Sequence, residues 1–167
     1  MIKIEDDFLD QKEFNKIQTL VMGDNFGWYF NQIIDNHSDL DKFQFTHIFY
    51  RDLVPKSNYL EQLNPIIIKI GIMSLLRIKA NLITRTSNIV ENKLHSDPAF
   101  LEEEKLKQWT TSIFYVNSNN GYTKFEDGTK VESVANRVVT FPANMKHTGT
   151  SCTDEKSRVV INFNYFK

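Results

Sequence analysis

The chain has 167 residues, 41% hydrophobic and 25% charged, a composition typical of a folded globular protein rather than a disordered one. Its 20 basic and 21 acidic residues give a formal net charge of −1, so bulk charge favours neither nucleic acid nor an anionic membrane as a partner. Cys152 is the only cysteine and excludes an internal disulfide, and no secretory signal segment is visible. We therefore expect one cytoplasmic domain spanning residues 1–167.

The first half of the sequence mixes helix and strand signals. Asp10 can cap a helix that runs to about Met22 and carries apolar residues on one side. Pro65 suits the first turn of a second helix. We expect a short strand at residues 2–4, a strand at residues 43–49 from its alternating pattern, and a strand that enters the core at residues 74–83. The apolar run at residues 65–76 is too short to span a membrane and contains Lys69.

The second half predicts short strands separated by turns. We expect strands at residues 110–117, 122–125, 129–134, 138–141, 147–150 and 158–166. Residues 119–121 and 127–128 supply Asn and Gly, which tolerate positive φ in turns, and Pro142 ends a strand. Closely spaced strands of this kind indicate a β-sandwich or barrel, with the helices of the first half packed on one outer face.

The most informative motif is His95-Ser96-Asp97, followed by His147 and then Arg158. Two imidazoles and a carboxylate can hold one face of a redox-active iron and leave the other face open. Residues two apart in a strand share a side, so His95 and Asp97 can bind one ion, which His147 would reach through tertiary folding. Arg158 opens an alternating strand, where its guanidinium could bind an anionic cosubstrate bidentately. Taken singly, each histidine is more simply a loop or core residue.

The order of these motifs resembles the iron(II)- and 2-oxoglutarate-dependent dioxygenases, in particular the small branch similar to prolyl 4-hydroxylases. The resemblance covers residues 74–166 and rests on the histidine and aspartate motif, His147 and Arg158. It also includes residues 77–82, 112–117, 121–128 and 136–142. It implies an all-β core with flanking helices (α+β), a double-stranded β-helix or distorted jelly roll. The N-terminal support would span about residues 1–73 and the metal-binding core about residues 74–167.

The resemblance also implies a chemistry. His95, Asp97 and His147 would be the ligands of Fe(II), and Arg158 would pair with the distal carboxylate of 2-oxoglutarate. These four are the expected catalytic residues. The reaction would use 2-oxoglutarate and O2 as cosubstrates, hydroxylate a C–H bond of a protein residue or small molecule, and release succinate and CO2. A minimal core of this size favours a phage or bacterial source.

Three further residues are expected near the cosubstrate. Tyr115 matches a tyrosine that many relatives place beside the basic residue, although a core aromatic is an equally good interpretation. Asn81 and Asn162 are candidates to line the pocket. The chain departs from the family in having Gly121-Tyr122-Thr123 where many relatives have two consecutive glycines, and Arg158 where prolyl hydroxylases proper usually carry lysine.

Three alternatives stay open at this stage. A cupin-like metal protein would need no 2-oxoglutarate, but a buried arginine without an anion is costly. A binding module would hold a metal or ligand without turnover. A nucleic-acid repair dioxygenase would be expected to carry a basic, aromatic-rich stripe, which the sequence lacks. The oligomeric state is left open by the sequence.

Two regions outside the motif have both a structural and a functional interpretation. Residues 98–109 follow the metal motif directly and form either a charged surface loop or a flap over the mouth of the site. His47 shares a strand face with aromatic residues, which indicates a packed histidine, and His37 also lies outside the motif.

Overall fold

The computed structural model describes residues 1–32, 34, 42–97 and 103–167. The helices are α1 (Gln11–Met22), α2 (Asn64–Ile70) and the single turn α3 (Glu103–Leu106). The strands are β1 (Lys3–Glu5), β2 (Tyr29–Asn31), β3 (Gln44–Arg51), β4 (Val54–Pro55), β5 (Ser74–Thr84), β6 (Thr110–Tyr115), β7 (Tyr122–Phe125), β8 (Lys130–Glu132), β9 (Val138–Pro142), β10 (His147–Gly149) and β11 (Ser157–Phe166). None of the described helices is long and apolar enough to cross a membrane.

The strands form two antiparallel sheets. The major sheet has the order β1-β9-β6-β11-β5-β3-β2, with β4 added to β3, and the minor sheet has the order β10-β7-β8. Strand β11 pairs with β5 on one side and β6 on the other, so both of its edges are satisfied at the centre of the sheet. The two sheets pack through a small apolar core that includes Tyr115 and Val139 of the major sheet and Phe125 of the minor sheet.

Both long helices lie on one face of the major sheet, as the sequence predicts. The carboxylate of Asp10 accepts a hydrogen bond from the Glu13 backbone N–H at 3.0 Å and so caps α1. The buried face of α1 presents Phe14, Ile17 and Val21 to the sheet. Helix α2 begins with a proline in its first turn and ends at Gly71, which has a φ of +76°. Burial of these apolar faces fixes the helices against the sheet.

Alternation along the central strands sends their side chains to opposite sides. On β11, Val159, Ile161 and Phe163 join the core beneath the helices, whereas Arg158 and Asn162 line a cavity on the other side. Strand β5 follows the same rule. Ile78 and Ala80 face the helices, whereas the alternate residues Arg77, Lys79 and Asn81 face the cavity. The major sheet therefore separates a hydrophobic core from a polar cavity.

Most strand predictions are confirmed with boundaries shifted by one or two residues, and one turn forms for a different reason. Residues 119–121 do connect two strands, but neither Asn119 nor Gly121 has a positive φ. A Cβ on Gly121 would lie 2.7 Å from both Arg158 Cδ and the Ser151 carbonyl oxygen. Close packing against the arginine requires glycine here, whereas Gly128, with a φ of +89°, is the turn glycine that the sequence predicts.

His47 is packed, as its strand pattern indicates. Its side chain is buried among Phe26, Phe49 and Tyr59. The ring nitrogens lie 2.7 Å from the Gly27 carbonyl oxygen and 2.8 Å from Ser57 Oγ. His37 lies outside the described residues.

Candidate metal centre and anion site

His95 and His147 face each other across a single backbone bridge. Each backbone N–H donates to the carbonyl oxygen of the other residue at 2.9 Å. Residues that exchange both hydrogen bonds in this way project their side chains to the same side. The two imidazole rings therefore lie side by side, with their centroids 5.0 Å apart. A second bridge, between Glu91 and Thr150, joins the same two segments, so backbone pairing brings the distant histidine to the motif.

Backbone contacts fix the orientation of both rings. His95 Nδ1 lies 3.1 Å from the Lys93 carbonyl oxygen, and His147 Nδ1 lies 3.2 Å from the Met145 carbonyl oxygen. A carbonyl oxygen only accepts, so in each neutral ring Nδ1 carries the proton and Nε2 keeps its lone pair. Both rings consequently offer Nε2 as a ligand atom, which is the orientation that metal-binding histidines need.

Asp97 completes the cluster and is held on every side. Its backbone carbonyl oxygen accepts from Thr111 Oγ1 at 3.2 Å and Asn164 Nδ2 at 3.3 Å. Its carboxylate oxygen Oδ2 accepts from Asn162 Nδ2 at 3.1 Å, and Oδ1 lies 3.1 Å from Arg77 Nη2. The side chain is buried, which leaves Oδ1 facing His95 Nε2 at 3.9 Å. The surrounding side chains thus pre-set the position of the carboxylate.

The donor set fits a single metal ion. One ligand atom from each of His95, Asp97 and His147 lies within 4.8 Å of the others. Two ligands each about 2.1 Å from one ion are at most about 4.2 Å apart, so a small movement of the side chains would close the site. Two imidazoles and one carboxylate leave positions of a six-coordinate metal open.

Electrostatics keep the ligands in their metal-binding forms. Burial by itself raises the pKa of Asp97, but the positive charge of Arg77 and the neighbouring imidazoles outweighs it and holds the pKa well below its ordinary value. Burial lowers the pKa of His147 to about 4, against the opposing effect of the Asp97 carboxylate. At neutral pH the site therefore contains an ionised carboxylate and a neutral His147.

Arg158 lies in the same cavity and has hydroxyl groups as partners. Its side chain is 3% exposed. Nε donates to Ser133 Oγ at 2.7 Å, and Nη2 donates to Thr123 Oγ1 at 3.0 Å. Within residues 1–32, 34, 42–97 and 103–167, no carboxylate forms an ion pair with it. Burial lowers the pKa of Arg158, yet the guanidinium stays charged. A buried cation without a counter-ion is unfavourable, which points to an anionic ligand.

The three other predicted residues occupy different positions. Asn81 and Asn162 line the cavity. Tyr115 is fully buried behind Arg158, with its ring centroid 5.7 Å from the guanidinium carbon and its hydroxyl donating to Thr123 Oγ1 at 2.8 Å. Tyr115 therefore supports the hydroxyl that holds Arg158.

Sequence reasoning missed four residues of the site. Ser133 and Thr123 carry no recognisable signal, because the minor sheet brings them to Arg158 from separate turns and strands. Arg77 and Lys79 did carry one. They are charged residues at alternate positions of an otherwise apolar strand that enters the core, so they must point to a second polar face.

One cavity of about 760 Å³ is lined by the three candidate metal ligands, by Arg158 and by Asn81 and Asn162. Its cationic side chains are Arg77, Lys79, Lys93 and Arg158, and the only acid among the described lining residues is Asp97. The predicted flap over its mouth is untested, because residues 98–102 lie outside the described part of the chain. Beyond them, Trp109 packs edge-on against Phe166, with the ring centroids 6.2 Å apart.

No protein-family model and no curated protein sequence matches the chain. Several solved structures do match. A prolyl hydroxylase from Trichoplax adhaerens, in complex with a hypoxia inducible factor oxygen degradation domain peptide fragment, is 12% identical with a TM-score of 0.69, over 99% of this chain and 83% of that one. The non-heme alpha ketoglutarate dependent carbocyclase SnoK from nogalamycin biosynthesis is 13% identical with a TM-score of 0.70, over 99% and 79%.

A third structure is that of the epimerase SnoN in complex with Fe3+, alpha ketoglutarate and nogalamycin RO. It is 11% identical with a TM-score of 0.65, over 99% of this chain and 78% of that one. Alpha ketoglutarate is another name for 2-oxoglutarate. The chain therefore has the fold of the 2-oxoglutarate- and iron-dependent oxygenases, whose solved members include prolyl hydroxylases.

Proposed function

We propose that this chain is an Fe(II)- and 2-oxoglutarate-dependent dioxygenase that hydroxylates a C–H bond of a protein residue or small molecule. One observation carries the proposal: a three-ligand cluster lines the same cavity as a buried arginine that has no carboxylate partner in the described part of the chain. The cluster alone would fit a cupin-like metal protein equally well. Arg158 favours the dioxygenase, because its buried charge calls for an anionic cosubstrate.

The residues of the site would divide the work. His95, Asp97 and His147 would hold Fe(II) on one side and leave the cavity side free. Bound iron would supply the redox chemistry that couples O2 and 2-oxoglutarate to oxidation of a substrate carbon, with succinate and CO2 released. Arg158 would hold the distal carboxylate of 2-oxoglutarate through paired N–H donors.

The cavity would also be pre-organised for this cosubstrate. Ser133 and Thr123 already fix the guanidinium of Arg158, so little side-chain freedom is lost on binding. Ile113 and Val160 form an apolar part of the wall and are themselves buried. Apolar walls exclude water and so strengthen the ion pair between Arg158 and a carboxylate.

We infer the architecture at a finer level from the same arrangement. The two sheets would be the two halves of a double-stranded β-helix, and residues 1–167 would form one catalytic domain. Residues 74–167 contribute the whole minor sheet and the central strands of the major sheet. Residues 1–73 contribute α1, α2 and the strands at the two sides of the major sheet, β1 on one side and β2, β3 and β4 on the other, which is a supporting role.

Two kinds of substrate are compatible with the proposal. The prolyl hydroxylase of similar fold was solved with a peptide, and the epimerase with a small molecule. We therefore propose a protein residue or a small molecule as the substrate.

An anaerobic titration tests the proposed function. Protein free of metal is titrated with Fe(II) and 2-oxoglutarate, and O2 is then admitted before succinate is assayed. We expect a visible charge-transfer band that requires both ligands, followed by succinate. His147→Ala should lose the band and the succinate, and Arg158→Gln should weaken 2-oxoglutarate binding at least about tenfold.

Two further variants calibrate the titration. Lys12→Gln removes an exposed lysine on α1, far from the cavity, and should behave as the unchanged protein. Arg158→Lys keeps the charge and should restore part of the 2-oxoglutarate affinity. Binding of Fe(II) without binding of 2-oxoglutarate would contradict the proposal and favour a cupin-like protein or a binding module.

A further inference from the structure

Two cationic side chains, Arg77 and Lys79, line the cavity away from Arg158. In the β5–β11 ladder Ile83 pairs with Arg158, whereas Lys79 pairs with Asn162 and Arg77 with Asn164. Lys79 and Ile83 are four positions apart on the strand, which is roughly 14 Å along its length. The pair formed by Arg77 and Lys79 therefore begins a region of the cavity distinct from the Arg158 site.

The positive charges of these two side chains are only partly balanced by the described residues. Arg77 donates from Nε to Asn164 Oδ1 at 3.0 Å and forms an ion pair with Asp97, whose Oδ1 lies 3.1 Å from Arg77 Nη2, yet this buried Nη2 has no hydrogen-bond partner in the described part of the chain. Lys79 is partly buried and forms no hydrogen bond or ion pair with any described residue. Burial and the nearby Arg77 together lower the pKa of Lys79 to about 8. An anion beside Lys79 would reverse this effect.

The charges of the loaded site would not balance. The charges of Fe(II) and of 2-oxoglutarate would cancel, and Asp97, which is the only acid among the described lining residues, would offset its ion-pair partner Arg77. Lys79, Lys93 and Arg158 would remain as a positive surplus. Because Arg158 is assigned to 2-oxoglutarate, Lys79 beside Arg77 is available for the molecule that is oxidised.

A neutral acceptor completes this region. Asn162 uses Nδ2 to donate to the Asp97 carboxylate, which fixes the orientation of its amide. Asn162 Oδ1 is buried and has no hydrogen-bond partner among the residues that the structure describes. A buried acceptor of this kind costs free energy unless a ligand supplies a donor.

We propose that Arg77 and Lys79 form a subsite for an oxyanion of the primary substrate, so that the substrate is an acid bearing a carboxylate or phosphate close to the oxidised carbon. The inference rests on the proposed dioxygenase function, because it assigns Arg158 to 2-oxoglutarate. Asn162 Oδ1 would accept a hydrogen bond from an amine or hydroxyl of the same substrate. Arg77 would both orient Asp97 and contact the oxyanion.

The test is a calorimetric titration of sulfate into the anaerobic protein already saturated with Fe(II) and 2-oxoglutarate. Sulfate is a small oxyanion and is expected to bind saturably. Lys79→Gln should weaken sulfate at least about tenfold, Lys79→Arg should keep most of the affinity, and Lys12→Gln should leave it within about twofold. All three variants should bind 2-oxoglutarate within about twofold of the unchanged protein, because Arg158 is intact.

Either of two results would overturn the subsite: no saturable sulfate binding, or binding that Lys79→Gln leaves unchanged. Failure of the dioxygenase function is separable from both. If 2-oxoglutarate does not bind, sulfate is titrated into the metal-free protein, where loss of binding in Lys79→Gln still supports the oxyanion subsite and no loss overturns it.

The source of the oxyanion is then resolved in two arms. Free small-molecule acids form one arm and short peptides with an acidic side chain form the other, each beside its neutral ester or amide. Binding tighter than sulfate in one arm, lost in Lys79→Gln, supports the subsite and identifies the source. Equal binding of the acids and their neutral counterparts contradicts it.

Discussion

The two faces of the major sheet differ in chemistry although the same strands build both. Facing the helices, β5 and β11 present buried apolar side chains: Ile78, Ala80, Val159, Ile161 and Phe163. Facing the other way, they present polar side chains: Arg77, Lys79, Asn81, Arg158, Asn162 and Asn164. Apolar groups are satisfied by packing alone, whereas buried polar groups need partners. The face toward the helices therefore contributes mainly to the stability of the fold, and the face toward the cavity mainly to ligand binding.

The side chains of the polar face differ in how far other residues satisfy them. The side-chain amide of Asn164 forms hydrogen bonds with Asp97, Thr111 and Arg77. Arg158 and Lys79 instead lack an anionic partner among the described residues. A ligand gains most binding free energy where it contacts buried polar groups that lack a partner within the protein. Variants of the two faces should therefore separate stability from binding.

The largest difference should appear between two adjacent residues of β11. Phe163→Ala removes a fully buried ring from the core beneath the helices and should cost about 3–5 kcal/mol of unfolding free energy. Asn162→Ala, on the opposite face, removes one hydrogen bond to Asp97 and should cost less than about 2 kcal/mol. Urea unfolding of the metal-free variants measures both. Equal costs would break the distinction between the faces.

Arg158→Met should separate binding from stability most clearly. Loss of the guanidinium should weaken 2-oxoglutarate about 100-fold, because a paired ionic contact is lost. The unfolding free energy of the metal-free protein should stay within about 1 kcal/mol or rise, since a buried cation without a counter-ion is removed. Anaerobic titration and urea unfolding give the two values. A large loss of stability with intact 2-oxoglutarate affinity would make Arg158 a structural residue.

Gly121→Ala should damage the Arg158 site by crowding it. The new Cβ would lie 2.7 Å from Arg158 Cδ and from the Ser151 carbonyl oxygen, so the backbone or the arginine must shift. We expect a loss of about 1–3 kcal/mol of unfolding free energy together with weaker 2-oxoglutarate binding. Gly128→Ala is the control, because it meets no atom within 4 Å and is strained only by its φ of +89°. An effect on 2-oxoglutarate in Gly128→Ala alone would contradict the account.

Lys79→Met should slightly stabilise the metal-free protein, by roughly 1 kcal/mol, because it removes a partly buried charge that has no ion-pair partner among the described residues. The pKa of Lys79 in the folded protein, about 8, lies below its ordinary value of 10.5. The destabilisation is therefore fully present below pH 8 and disappears as the pH rises toward 10.5. The gain from the substitution should shrink over that window in thermal unfolding. Lys93→Met, which removes an exposed lysine, should change little at any pH.

Much of the fold could be predicted because local patterns and tertiary packing agree. The Asp10 cap and the apolar spacing of α1 predict a helix that the structure confirms almost to the residue. The alternation of residues 158–166 and the apolar character of residues 74–83 predict two strands, which the structure has as β11 and β5. Boundaries were less accurate where a strand ends by losing its neighbour rather than by a change in sequence. Strand β6, for example, ends at Tyr115, two residues before the predicted end.

The site was predictable in type but only partly in composition. The two histidines and Asp97 form a recognisable ligand set, and the structure brings them within reach of one ion. The hydroxyls that hold Arg158 come from the minor sheet and its turns, and no local pattern marks such long-range contacts. Gly121 was assigned to a turn conformation, whereas its role depends on an arginine distant in sequence.

The most direct test of the central claim is a crystal structure of the protein with Fe(II) and 2-oxoglutarate, grown without oxygen. The account predicts iron bonded to His95, Asp97 and His147, with the distal carboxylate of 2-oxoglutarate about 2.8 Å from the guanidinium nitrogens of Arg158. Arg77 and Lys79 should then face the space left for the substrate. A 2-oxoglutarate carboxylate held by Arg77 and Lys79, with Arg158 still bound only to hydroxyls, would contradict the account.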